Sequence, residues 1–273
     1  MTIKSILVHA DAGPGSNRRL RLADQIAAQF QGTVIGLGAE AFETALMSGN
    51  AMIDGAVFEA VREQVAAELP AAEKHFRALA TDAPTTAWIA QEGYPGQMLA
   101  LHARGADLIV ASRPARNEGI AFSARVADVV MESGAPVLIA SDRDIGFSGR
   151  SVVVAWKDTR ESRRALTDAL PFLRRAEKVT IVAVGGEPAG EATMQGLAEI
   201  AERLARHGII AKTEIVPKGP GMIVEALEDA ATRHGADLII AGAYARSRVR
   251  EWLLGGVTED LIASSSKFVL LSH

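Results

Sequence analysis

The chain has 273 residues, 48% hydrophobic and 23% charged, with a net charge of −4 and no cysteine. This composition excludes wholesale disorder and leaves room for one large domain or two ordinary ones. The acidic balance argues against a nucleic-acid partner, and the lack of cysteine excludes disulfides, thiolate nucleophiles and zinc–thiolate sites.

The opening MTIKSILVHAD runs at once into a strand pattern, without the basic and then apolar stretch of a signal peptide. Ser5–Asp11 reads as the first strand, Gly13-Pro14-Gly15-Ser16 as a turn with Ser16 or Asn17 capping a helix, and RRLRLADQIAAQF as that helix. Extra residues over Phe42–Leu69 read as a longer helical excursion, irregular at Met47–Asn50. The helical segment QMLALHAR leads into GADLIVAS from Gly105, and after a loop and a further helical segment the apolar strand APVLIAS follows. The apolar runs, here and in SVVVAW, DLIIAG and FVLLS, are far shorter than the ~20 residues needed to cross a bilayer. The expectation is a cytoplasmic protein with no membrane partner.

After a polar, glycine-containing linker at Asp142–Gly149, the order of elements repeats. SVVVAWK at Ser151–Lys157 matches SILVHAD, and Gly235-Ala-Asp-Leu-Ile239 matches Gly105-Ala-Asp-Leu-Ile109. Two matched ends in one order point to a domain duplication, and the period is too long for a solenoid unit. Strands are predicted at Val152–Trp156, Val179–Val184, Ala211–Val216, Leu238–Ala241 and Phe268–Leu271, with helices between them. Continuous apolar strands alternating with helices imply a parallel sheet covered on both faces. The predicted fold class is α/β, with two tandem doubly wound, Rossmann-like, five-stranded parallel-sheet domains at 1–143 and 150–273.

In such sheets ligands bind beyond the carboxyl ends of the strands, where strand order reverses. The loop after the fourth strand of the second half, Gly242–Gly256, carries Arg246, Arg248 and Arg250, and its Gly255-Gly256 precedes a helix. Glycines let a backbone approach an anion closely, a helix N-terminus offers unpaired N–H groups, and arginines add charge-assisted hydrogen bonds. A solvated surface loop is the plain alternative, with Glu251, Glu259 and Asp260 offsetting the positive field.

Gly242-Ala-Tyr-Ala245, the nine residues RSRVREWLL and then Gly255-Gly256-Val257-Thr258 resemble the universal stress protein family. That family's nucleotide pattern is Gly-x-x-Gly, nine residues, then Gly-Ser/Thr. The resemblance covers the whole chain as two tandem copies. It implies a stress-response protein that binds or senses an adenine nucleotide, ATP with magnesium, without being a dedicated catalyst. The implied pocket takes in Trp156, Lys157, Asp158, Val216, Gly242, Ala245, Arg246, Gly255, Gly256, Val257 and Thr258. Three departures mark it: Ala245 replaces the second motif glycine, Gly256 replaces the Ser/Thr, and Lys157 stands at the family's Asp, one residue before Asp158. They leave open a regulatory scaffold acting through protein partners, and slow ATP hydrolysis ranks third. In the first half Asp11 keeps the Asp position, but Ser112-Arg-Pro-Ala115 and Ser123-Ala124 replace the glycine motif. That half reads as structural. The family's dimerisation implies either a homodimer or an internal pseudo-dimer.

Other patterns are set aside. Gly185–Thr193 has P-loop glycine spacing, but Glu191 stands where lysine is required. The six histidines show no metal-ligand spacing, and His9 in an apolar strand reads as a satisfied buried side chain. No Gly-x-Ser-x-Gly elbow is present. Trp88, Trp156 and Trp252 read first as packing residues, the latter two also as possible borders of an adenine pocket.

Overall fold

The computed structural model describes residues 2–11, 14–40, 55–113, 126–143, 146–185, 190–217, 223–243 and 256–273. Two compact units divide the chain, one over Ile3–Ala135 and one over Pro136–His273 with the first two residues.

In the first unit β1 (Ser5–His9), β2 (Thr33–Glu40), β3 (Thr85–Glu92) and β4 (Leu108–Ala111) form a parallel array in the order β3-β2-β1-β4. The connecting helices are α1 (Pro14–Phe30), α2 (Gly55–Leu79) and α3 (Pro95–His102), and α4 (Val126–Glu132) follows β4. Helix α1 starts at Pro14, ahead of both expected caps; Ser16 lies inside its first turn, and its Oγ accepts the Asp11 N–H at 3.2 Å. Leu20, Ala23, Ile26 and Ala27 form the stripe by which α1 packs, each wholly removed from water. The stretch 41–54, including the irregular point expected at Met47–Asn50, lies outside the described residues, and α2 covers the later part of the expected excursion. Trp88 is a packing residue, stacked on Phe76 with ring centroids 5.6 Å apart.

The second unit holds β5 (Val137–Ile139), β6 (Ser151–Ala155), α5 (Arg160–Asp168), α6 (Leu170–Leu173), β7 (Lys178–Gly185), α7 (Glu191–Ala205) and β8 (Ala211–Pro217). It continues through α8 (Ile223–Arg233), β9 (Leu238–Gly242), α9 (Val257–Ser264) and β10 (Phe268–Ser272). Its strand order is β8-β7-β6-β9-β10-β5, parallel throughout except for the antiparallel pair β5–β10. All five strands expected in this half are present to within a residue at each end. Val152, Val153 and Val154 on β6 are buried, each stabilising the sheet by about 1.5–3 kcal/mol relative to exposure. The strand APVLIAS, expected to close the first half's sheet, pairs antiparallel with β10. β5 is wholly apolar and β10 is apolar but for Ser272, so each would be a liability as an open edge, and their pairing covers those edges.

The repeated Gly-Ala-Asp is a structural device. Asp107 Oδ2 accepts the N–H groups of Lys4 and Ser5 at 2.8 and 2.9 Å, and Asp237 Oδ2 accepts those of Ser148 and Gly149 at 2.6 and 3.0 Å. In each half one carboxylate satisfies two backbone donors just where the first strand begins, with the added strength of a charged acceptor. The same anchor holds the end of the expected linker, where Phe147 packs edge-on against Phe172 and Phe268.

Candidate functional site

Strand order in the second unit reverses beside β6, with β7 and β8 on one side and β9 and β10 on the other. A cleft of about 260 Å³ opens there, beyond the carboxyl ends of β6 and β9. Ala155, Trp156 and Lys157 reach it from the end of β6, and Ala241 and Gly242 from the end of β9. Val182 and Val184 come from alternate positions, hence one face, of β7, and Ile223 and Leu227 from positions four apart on α8. Thr159 and Ser162 line it from the start of α5, Val257 and Thr258 from the first turn of α9. The walls are aliphatic and aromatic, the rim carries hydroxyls, and Lys157 supplies the only formal charge among these lining residues.

Local chemistry fixes both helix starts. Thr159 caps α5, its Oγ1 accepting the Ser162 N–H at 3.3 Å. Gly256 caps α9 in an extended conformation, without a side-chain cap hydrogen bond. In that turn, burial and then the neighbouring Glu259 push the Asp260 carboxyl above its ordinary range. Burial also opposes ionisation of Glu161, but hydrogen bonds from Arg160, the backbone and Thr159 outweigh it and hold the carboxyl low.

Of the residues singled out from sequence, Trp156, Lys157, Gly242, Val257 and Thr258 come together in the cleft. Trp156 is nearly buried, and its backbone N–H donates to the Val182 carbonyl at 2.8 Å. Asp158 does not join them: it is exposed and pairs with Arg163 at 2.5 Å, so it does not stand in for the displaced acid. Val216 on β8 is likewise absent from the lining. Gly256 sits just before α9, while Ala245, Arg246 and Gly255 lie outside the described residues. Val182, Val184, Ile223 and Leu227 were not singled out; the alternation of Val182 and Val184 near a strand end was the legible signal for that wall.

Gly242, the first glycine of the motif, has a packing role. A Cβ there would lie 2.4 Å from the Ser162 backbone nitrogen and 2.5 Å from the Glu161 carbonyl carbon. The close crossing of β9 and the start of α5 therefore requires glycine, whatever the cleft holds.

The first unit also reverses its strand order, between β1 and β4, but Arg19 lies at that point. Its Nε donates to the His9 carbonyl at 2.5 Å, Nη1 to Ser112 Oγ at 3.0 Å and Nη2 to Asp11 Oδ2 at 2.5 Å. His9 is buried as expected. Its Nε2–H donates to the Ala39 carbonyl at 3.3 Å, which leaves Nδ1 to accept from Arg19 Nη2 at 3.4 Å. Burial, then the Arg19 charge, lowers the His9 pKa to about 4, so the ring stays neutral. Glu40, at the end of β2, has one buried oxygen without a hydrogen-bond partner. Burial, then Glu68 and Asp11, raises its pKa to about 7.

Among the described residues no three His, Asp or Glu side chains form a group able to hold a metal ion. Among the same residues no helix is long and apolar enough to cross a membrane.

An open crevice at the strand-order reversal of a parallel sheet defines a doubly wound α/β ligand-binding fold. Residues 149–273 match the model of the universal stress protein family. A universal stress protein from Archaeoglobus fulgidus DSM 4304 shares the fold along almost the whole chain, with TM-score 0.74, 18% identity, and 98% of this chain and 95% of that one covered. A functionally unknown protein from Pseudomonas aeruginosa PAO1 matches with TM-score 0.58 and 16% identity over 99% of this chain and 92% of its own. A universal stress protein solved in complex with cAMP matches 51% of this chain and 98% of its own, at 22% identity and TM-score 0.35. No curated protein matches the chain.

Proposed function

We propose that the second half binds an adenine nucleotide in the cleft between β6 and β9, and that the protein senses the nucleotide rather than transforming it. The observation that carries this reading is the position of the cleft: the strand-order reversal, with apolar walls and the start of α9 at one end. Trp156, Val182, Val184 and Ile223 suit a flat base. Lys157 and the first-turn N–H groups of α9 suit phosphate oxygens. ATP is the nucleotide proposed. The lining residues contain no carboxylate, so magnesium would be held mainly by the phosphates, with Thr258 offering a hydroxyl. A cytoplasmic location and self-association belong to this reading as proposals.

A second reading, a scaffold without nucleotide, draws support from Asp158 turning away to Arg163 and from Lys157 at the family's acid. Calorimetric titration of the full chain with ATP, with and without magnesium, separates the two. One binding event per chain, weakened by Lys157→Ala, is expected. No heat at millimolar ATP in either condition would overturn the nucleotide reading in favour of the scaffold.

A further inference from the structure

We propose that the first half keeps a cation-binding cleft at its own switch point, and that the occupant is the chain's Arg19 side chain. The groups around the guanidinium form a receptor. The His9 carbonyl, Ser112 Oγ and Asp11 Oδ2 accept from three different nitrogens of Arg19 at 2.5, 3.0 and 2.5 Å. They come from the carboxyl end of β1, the turn after it and the residue after β4, which are the two strands that flank the reversal. All of these partners act as acceptors, a set that matches a guanidinium and no anion. Arg19 is only 7% exposed, and a buried, fully bonded cation is costly to displace.

The second half shows what this position looks like without the plug. In ungapped register with Ser5 and Ser151, Arg19 falls on Ala165 and Asp11 on Lys157. There the crevice is open. The acidic acceptor and the arginine that fills it are thus present together in one half and absent together from the other. The ligand class of the first cleft is a guanidinium or small ammonium cation, self-supplied, so this half offers nothing to a nucleotide. The inference does not depend on what the second half binds.

The test is chemical complementation of the purified full chain. Arg19→Ala should lower the melting temperature, and methylguanidinium at millimolar concentration should restore it saturably, with one bound per chain by calorimetry. Urea, a neutral isostere, should not. A response to methylguanidinium no different from that of the unaltered protein, or an equal response to urea, overturns the proposal. Should Arg19→Ala fail to fold, the neutral pair Asp11→Asn with Arg19→Met decides. Under the proposal it is more stable than Asp11→Asn alone, because no charge is stranded; simple additivity of the two losses overturns it.

Discussion

The two switch points started from one plan and now do opposite things. In the first half a helix arginine reaches back to the end of β1 and closes the crevice; in the second the matching residue is Ala165, and a cleft of about 260 Å³ stays open. The glycine that lets helix and strand cross also changes sides. In the second half it is Gly242 on β9, against the backbone of Glu161 and Ser162; in the first it is Gly15 on α1, where a Cβ would lie 2.9 Å from Ser112 Oγ. A duplicated fold therefore conserves a close approach while exchanging the partner that provides the room. The open or filled state of the crevice then rests on a single helix position.

The strongest way to break this comparison is Gly242→Ser, which copies the first half into the second. Its Cβ meets backbone, which does not yield as a side-chain tip does. A loss of about 3 kcal/mol is expected by urea denaturation. If the glycine served only to admit phosphate, stability would hold and ATP binding alone would fall. Next come Asp107→Ala and Asp237→Ala, each removing the charged acceptor of two backbone N–H groups. Similar losses of about 2–3 kcal/mol are expected in denaturant midpoints, and a large inequality would show that the anchor matters in one half only.

Glu40 tests the acidic surroundings of the filled crevice. Its pKa rises from 4.5 to about 7 in the folded chain, so the fold holds this proton more tightly than the unfolded chain does. That contribution is full below 4.5 and is lost as pH climbs through about 7. Glu40→Gln should therefore leave stability near its acid value and add about 2 kcal/mol above neutrality. Denaturation across that window that is unchanged in shape would remove Glu40 from the account. The smallest effect is expected from Lys157→Ala. Its charge is solvent-facing, so a weakening of ATP binding by about 1 kcal/mol is anticipated by calorimetry, with stability unmoved.

Much of the fold was legible because its signals are periodic and local. Valine and isoleucine runs located the strands of the second half, and the Gly-Ala-Asp repeat revealed the duplication. The partner of β5 was not legible, since VLI has the same pattern whichever strand it joins. Arg19 was hidden for a different reason. In RRLRLAD it reads as one more solvated charge, and only the fold brings His9, Asp11 and Ser112 around it. For the open cleft, the strand ends and Gly242–Thr258 were visible through motif spacing, whereas the α8 wall was not, because Ile223 and Leu227 look like ordinary core positions. Asp158 misled, since chain proximity to the displaced acid did not carry its side chain into the cleft.

The β5–β10 pair has a consequence for biosynthesis. β5 leaves the ribosome as soon as the first half is made, but its partner is the final strand of the second half. During that interval Val137–Ile139 is an apolar edge with its antiparallel neighbour not yet translated, the kind of segment that recruits strands from other chains. Slow elongation through the second half should prolong the exposure, and nascent chains halted there should depend most on chaperones.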